Sequence, residues 1–241
     1  MGSLGLTAAV CAAAALGGFV QSLAGFGAAV VIMVFLPFVL PMREAPAVSD
    51  VITMVLSFSL FWQYRQSVDY RRIGWPAAAY MLTGMAAIWG MGLIQTERLR
   101  GLFGLFLLVL AVYFMFFADG MTVPAGRLSQ LLCGGLAGLC GGFFGISGPV
   151  VSLYYLAATE SKAAYLGTIN AFFSITVVVN LAGRIVNGHL TAGMIPVMAA
   201  GILAILAGSA AGKVAAARIS MANMKRCVYG LMIFAGIMAM L

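Results

Sequence analysis

Apolar residues run along this chain in long unbroken stretches, and charges fall between them. The first stretch, from about Leu4 to Leu40, holds no charged residue. The second runs from about Ala47 to Tyr64 and stops at Arg65, Asp69, Arg71 and Arg72. A third covers about Gly74 to Ile94, ahead of Glu97, Arg98 and Arg100, and a fourth about Leu102 to Phe117. A polar link, Asp119 to Arg127, carries Gly120, Pro124 and Gly126. Beyond it come about Leu128 to Ala158, Tyr165 to Leu181, Ala192 to Gly212 and Cys227 to Leu241. Charge-free stretches of about 20 residues read as helices that cross a bilayer. The pattern therefore predicts an all-α, multi-pass membrane protein.

The series after the link repeats the series before it. At an offset of 120, Gly18 falls on Gly138, Gly25 on Gly145, Pro76 on Pro196, Gly92 on Gly212 and Arg98 on Arg218, while Asp50 falls on Asn170. Glycine matches arise easily by chance, so the shared order of one long run, three shorter runs and a basic loop weighs more. Two homologous transmembrane repeats are expected, 1–120 and 121–241.

The long run that opens each half is unusual. Leu4 to Leu40 would be about 55 Å long as one helix, against a hydrocarbon core of about 30 Å. It is interrupted by Gly17-Gly18, Gln21-Ser22 and Gly25-Phe26-Gly27; its counterpart carries Gly141-Gly142, Gly145, Gly148 and Pro149. The run is either one long tilted helix or two short pieces, and the Gly and Pro favour a break. Basic residues sharpen the choice. If each long run enters and leaves on one side, that reading leaves Arg43, Arg98, Arg100 and Arg184 on one face. Arg65, Arg71, Arg72, Arg127, Lys162, Lys213, Arg218, Lys225 and Arg226 lie on the other. This is the stronger orientation bias. It puts both termini outside and inverts one half relative to the other.

Composition narrows the function. Charged residues make up 8% of the chain and hydrophobic ones 63%; a soluble domain carries about 25% charged residues. The net charge of +7 sits in short loops, where it orients spans, so no nucleic-acid partner is implied. Cys11, Cys133, Cys140 and Cys227 lie inside apolar runs without a CxxC pair, and no metal-ligand cluster, cofactor motif, nucleotide loop or catalytic triad pattern is present. The chain reads as no enzyme, with the lipid bilayer and a small anion as partners and a homo-oligomer as a compatible state.

Two sets of positions could hold that anion. Gly134, Gly138 and Gly142 have the spacing of a close-packing helix face, whereas Gly25-Phe26-Gly27 and Gly145-Ile146-Ser147-Gly148-Pro149 do not. Helices broken there would aim free N–H groups and partial positive charge at one place, an anion site that needs no buried cation. The second set is polar residues inside apolar runs. Gln21, Ser22 and Ser147 lie at the breaks, Asp50, Thr53 and Ser57 open the next stretch, and Thr168, Asn170 and Ser174 match them in the second half. Thr53 and Ser57 are expected to bond their own helix. Asp50 is either an interfacial cap beside Arg43 and Glu44 or a coupling carboxylate. Arg184 and His189, beside Asn187 and Gly188, read as a surface loop, with an anion-attracting rim or pH-sensitive group as the alternative. The substrate-binding candidates are Gln21, Ser22, Gly25, Phe26, Gly27, Gly145, Ser147, Gly148, Thr168 and Asn170, with Asp50 the coupling candidate.

The segments GGFVQSLAGFGAAVVIMVFLPFVLP (Gly17 to Pro41), GLCGGFFGISGPVVSLYYLAA (Gly138 to Ala158) and KAAYLGTINAFFS (Lys162 to Ser174) resemble the TauE/SafE sulfite exporter family. The resemblance covers nearly the whole chain. It implies a bacterial inner-membrane protein of two glycine-rich repeats that exports or takes up sulfite, sulfonates such as sulfoacetate, or related sulfur oxyanions. An anion channel of the same architecture and a non-transporting scaffold subunit are the competing readings.

Overall fold

The computed structural model describes residues 3–116, 124, 126–215, 230 and 233–240, and holds no strand among them. Its elements are α1 (Ser3–Ala24), α2 (Ala28–Phe35), α3 (Ala45–Tyr64), α4 (Gly74–Met91), α5 (Thr96–Phe116), α6 (Arg127–Phe144), α7 (Gly148–Ala158), α8 (Lys162–Val186) and α9 (Ile195–Ala215). Residues 233–240 are helical as well. Among the described residues, four helical stretches are long and apolar enough to cross a membrane: Leu4–Ala24, Ala45–Ser67, Lys162–Val186 and Ala192–Ala215. Most of the link expected at Asp119 to Arg127 lies outside the described residues. So do Arg218, Lys225, Arg226 and Cys227.

Local chemistry sets the helix ends. Pro46 sits in the first turn of α3, where its missing N–H costs nothing. Ser161 caps α8 by accepting the Ala164 N–H at 3.1 Å, the usual service of a serine N-cap. Asp69 accepts the Arg71 N–H at 3.1 Å and pairs with Arg72 at 2.8 Å. That bond holds the Arg72 guanidinium pKa above its ordinary value. The loop pair is half-buried and close to solvent, and adds little stability.

Glycine faces decide which helices touch. In lipid, helices gain no hydrophobic drive from meeting, so close backbone approach does the work. α1 lies along α9, and α4 along α6. A methyl added at Gly208 would sit 2.6 Å from the Ala15 carbonyl carbon, and one at Gly138 would sit 2.6 Å from the Tyr80 carbonyl oxygen. Gly134 and Gly142 back onto Pro76 and Gly84 in the same α4–α6 seam. The small-residue spacing read in the sequence is thus a packing face. Between these outer pairs, α3 packs on α8. This inner pair is 61% and 56% buried along its apolar window, against 33% for α1 and for α9.

The order of elements after the link follows the order before it. Exchanging the halves also turns the α1–α9 contact into the α6–α4 contact and leaves α3–α8 as itself.

The basic residues gather at the two ends of the bundle, with one correction. Lys213 donates to Gln63 at 2.7 Å, and Arg127 stacks 6.0 Å over Trp75. Both therefore stand at the end that carries Arg65, Arg71 and Arg72. Arg43 donates to the Ile94 carbonyl at 2.8 Å, at the opposite end, near Arg98 and Arg100. Arg184 is not in a loop. It lies within α8 and is fully buried, so it drops out of the orientation count. Trp62, Trp75 and Trp89 all face outward, as interfacial anchors do.

Candidate functional site

Each long opening run is one complete helix followed by a short one that doubles back. α1 has 22 residues and α6 has 18, lengths of about 33 and 27 Å. α2 has 8 residues and α7 has 11, about 12 and 16 Å. The runs are therefore broken, as the Gly and Pro favour, but into one full-length and one short piece rather than two short ones. The reversal follows from glycine. Gly25 has φ 82°, Gly27 φ 111° and Gly145 φ 68°, values that side chains with a Cβ rarely adopt. Gly17 lies against Ala28 and Ile32, so α2 returns along α1. Gln21 Oε1 accepts the Ala28 N–H at 3.3 Å, which satisfies the first amide of α2.

The two tips approach the inner α3–α8 pair from opposite ends. The Tyr165 hydroxyl, near the start of α8, donates to the Ala24 carbonyl at 3.4 Å. Gly145 sits beside Pro46, at the start of α3. A methyl on Gly148 would lie 3.2 Å from Phe26 Cβ and 3.5 Å from the Phe173 ring. The N-terminal turn of α7 thus rests on the first tip.

Between the tips lies a cavity of about 40 Å³, room for roughly three waters. The tips contribute Gln21, Gly27, Ala29 and Val30 on one side and Gly145, Ser147 and Gly148 on the other. α3 contributes Asp50, Thr53 and Ser57, α4 contributes Tyr80, and α8 contributes Phe173, Thr176, Val177 and Asn180. The α3 and α8 residues recur at intervals of three and four, so each set forms one helix face. The α2 and α7 N-termini both open here, and each carries the partial positive charge of a helix start.

One wall of the cavity is charged. Asp50 Oδ2 accepts from Arg184 Nε at 2.7 Å. Arg184 Nη2 donates to the Gly141 and Gly142 carbonyls, each at 3.0 Å. Both lie in the last turn of α6, where carbonyls favour a cation; the Gly141 carbonyl also accepts the Gly145 N–H at 2.8 Å. Arg184 Nη1 has no hydrogen-bond partner, and neither has Asn180 Oδ1. Asn180 Nδ2 donates to the Tyr80 hydroxyl at 2.9 Å. Asp50 is therefore not an exposed cap. It is buried, 134 residues from its partner in sequence.

Beyond Val186, the His189 side chain is 8% exposed. Burial comes first, and the nearby Arg184 and Arg43 charges add to it, in holding its pKa below 6.5. The loop expected at Arg184 to His189 begins only after the helix has carried Arg184 into the interior.

The cavity gathers Gln21, Gly27, Gly145, Ser147, Gly148 and Asp50 from the sequence-derived candidates. The other five point elsewhere. Ser22 donates to the Phe19 carbonyl at 2.9 Å and faces Gly212 of α9. Gly25 packs against Tyr165 and Leu166, and Phe26 against Gly148. Thr168 accepts the Asp69 N–H at 3.0 Å. Asn170 accepts from Gln21 Nε2 at 3.3 Å and donates to the Leu166 carbonyl at 2.9 Å, so it holds Gln21 in place. Thr53 does bond its own helix, to the Ser49 carbonyl at 2.8 Å, yet it also lines the cavity. Tyr80 and Thr176 were not singled out from the sequence. Thr176 could have been found on the α8 face shared by Phe173, Val177, Asn180 and Arg184. Tyr80 carries no such signal.

A family model described as "Sulfite exporter TauE/SafE" matches residues 10–239. No curated protein and no solved structure matches the chain.

Proposed function

Because the chain belongs to the TauE/SafE sulfite exporter family, we propose that it carries a small sulfur-containing anion, held in the cavity between the two glycine tips. The observation that carries this reading is the opening of two short-helix N-termini, α2 at Gly27 and α7 at Ser147, onto one cavity lined by polar and apolar groups. Oxyanions are well served by such ends, where amides point outward and the helix dipole favours negative charge. Gln21, Ser147 and the amides near Gly27 and Gly148 would bind the oxygens. Sulfite, with four heavy atoms, suits a 40 Å³ space; a sulfonate such as sulfoacetate would require the walls to part.

Transport follows from moving one half against the other. The exchange symmetry of the helix contacts supports two inverted repeats, 1–120 and 121–241, that rock about a site at their interface. An inside-negative potential favours export by about 2.3 kcal/mol per charge per 100 mV, so a bacterial inner membrane would drive sulfite outward. Both termini then lie outside, opposite the more basic end of the bundle.

The test is thermal stability of the purified protein in sulfite, sulfoacetate, taurine, sulfate and chloride. A ligand that binds only the folded state raises stability by about 2.7 kcal/mol at a hundred times its Kd. Sulfite should stabilise most and chloride least. Equal, small shifts for all five would defeat the substrate assignment.

A further inference from the structure

An anion entering the cavity meets a carboxylate. Asp50 lines the space, whereas Arg184 stands behind it, fully buried and outside the lining. Asp50 is in this sense a built-in competitor for the buried Arg184 cation beside the cavity. Arg184 is already anchored to the α6 carbonyls through Nη2, so it stays in place if Asp50 lets go. Its Nη1 is a buried donor with no partner, and Asn180 Oδ1, one turn away on α8, is a buried acceptor with none. The Asn180 side chain also faces the Asp50 carboxyl.

We infer that Asp50 and Arg184 form a proton-operated switch: a proton on the Asp50 carboxylate releases the Arg184 guanidinium to the anion, so one proton crosses with each anion. The proton comes from the water that delivers the anion, rests on an Asp50 oxygen, and leaves when Arg184 recaptures the carboxylate on the other side. One O–H breaks on the hydronium or buffer acid that gives up the proton as the Asp50 O–H forms, and the exchange reverses when the proton returns to water. The groups facing Asp50 are compatible with this. Arg184 comes from α8, and Tyr80, bonded to Asn180, from α4. α2 carries no ionisable side chain. The one charged residue of α9, Lys213, donates to Gln63 at the far end of α3. Arg43 and His189 lie beyond Arg184, and the charges of Arg184 and Arg43 both act on His189. This inference rests on the anion-carrier reading above.

The experiment is sulfite transport in proteoliposomes, with the membrane potential clamped and a pH gradient as the only driving force. Wild type should accumulate sulfite on the alkaline side against its own gradient. D50N, fixed in the neutral form, should lose that accumulation and move sulfite downhill only, at a pH-independent rate. It should also bind sulfite at least about fivefold more tightly, the lower end of a coupling between linked ligands. Accumulation that persists in D50N, or sulfite flux in wild type that a pH gradient cannot drive, overturns the switch and leaves the carrier reading intact. If D50N does not reconstitute, the wild-type arm still decides. No flux of any anion by wild type refutes the carrier reading as well.

Discussion

Replacing Arg184 by Met should be among the most destabilising single changes in the protein. The substitution removes the 2.7 Å bond to Asp50 and both 3.0 Å bonds to the end of α6. It leaves Asp50, 4% exposed, as a carboxylate with no counter-charge. Breaking a buried pair from one side costs about 3–5 kcal/mol, whereas replacing both partners can be nearly neutral. The Gly141 carbonyl keeps a second donor, the Gly145 N–H at 2.8 Å, so the loss at α6 is partial. The double variant D50N/R184M should therefore recover most of the deficit, with a residue of about 1–3 kcal/mol for the unmet acceptors. Thermal unfolding in detergent reads this out. At about 2–4 °C per kcal/mol for a chain of this size, R184M should melt roughly 6–20 °C below wild type. The double variant should lie well above the sum of the two singles. Additivity within about 0.5 kcal/mol, the behaviour of independent sites, would refute the pairing.

Three further outcomes follow from the same geometry. Gly208→Ala places a methyl against the Ala15 carbonyl, whereas Gly101 has nothing within 4 Å of an added Cβ; the first should cost about 1–3 kcal/mol of overpacking and Gly101→Ala almost nothing, as compared by detergent melting. Gly27→Ala forces a Cβ onto a residue with φ 111°, which should cost about 1–3 kcal/mol and weaken sulfite binding measured by calorimetry. His189 is held neutral by burial and neighbouring arginines, so the unfolded chain takes up its proton first as pH falls. Stability is then complete above pH 6.5 and declines below it, and H189Q should flatten that decline in melts taken between pH 7.5 and 5.

Helix existence was legible because charges are so scarce that each one marks a boundary. α3 ends at Tyr64 and α4 starts at Gly74, as the charge pattern indicates. The breaks were legible because Gly25, Gly27 and Gly145 adopt backbone angles that other residues avoid. The same scarcity misled at Arg184. A lone charge in an apolar chain looks like a span end, yet α8 continues to Val186 because Asp50 neutralises that charge from another helix. No local pattern encodes such a partner. The rotation of α1 was equally invisible. Ser22 is the residue after Gln21, but it turns toward α9 while Gln21 turns toward the cavity. Only the glycine seam between α1 and α9 sets that angle. Thr168 and Asn170 were rightly read as buried polar groups in a span; their oxygens are already occupied by Asp69 N–H and Gln21 Nε2.

The central claim is that an anion crosses through the space between the two tips. Sulfite efflux from proteoliposomes tests it, comparing wild type, Ser147→Ala and protein-free vesicles. Saturable efflux by wild type, with a raised half-saturation concentration in Ser147→Ala, is the expected result. Efflux by folded wild type no faster than from empty vesicles, or identical kinetics in Ser147→Ala, would contradict it.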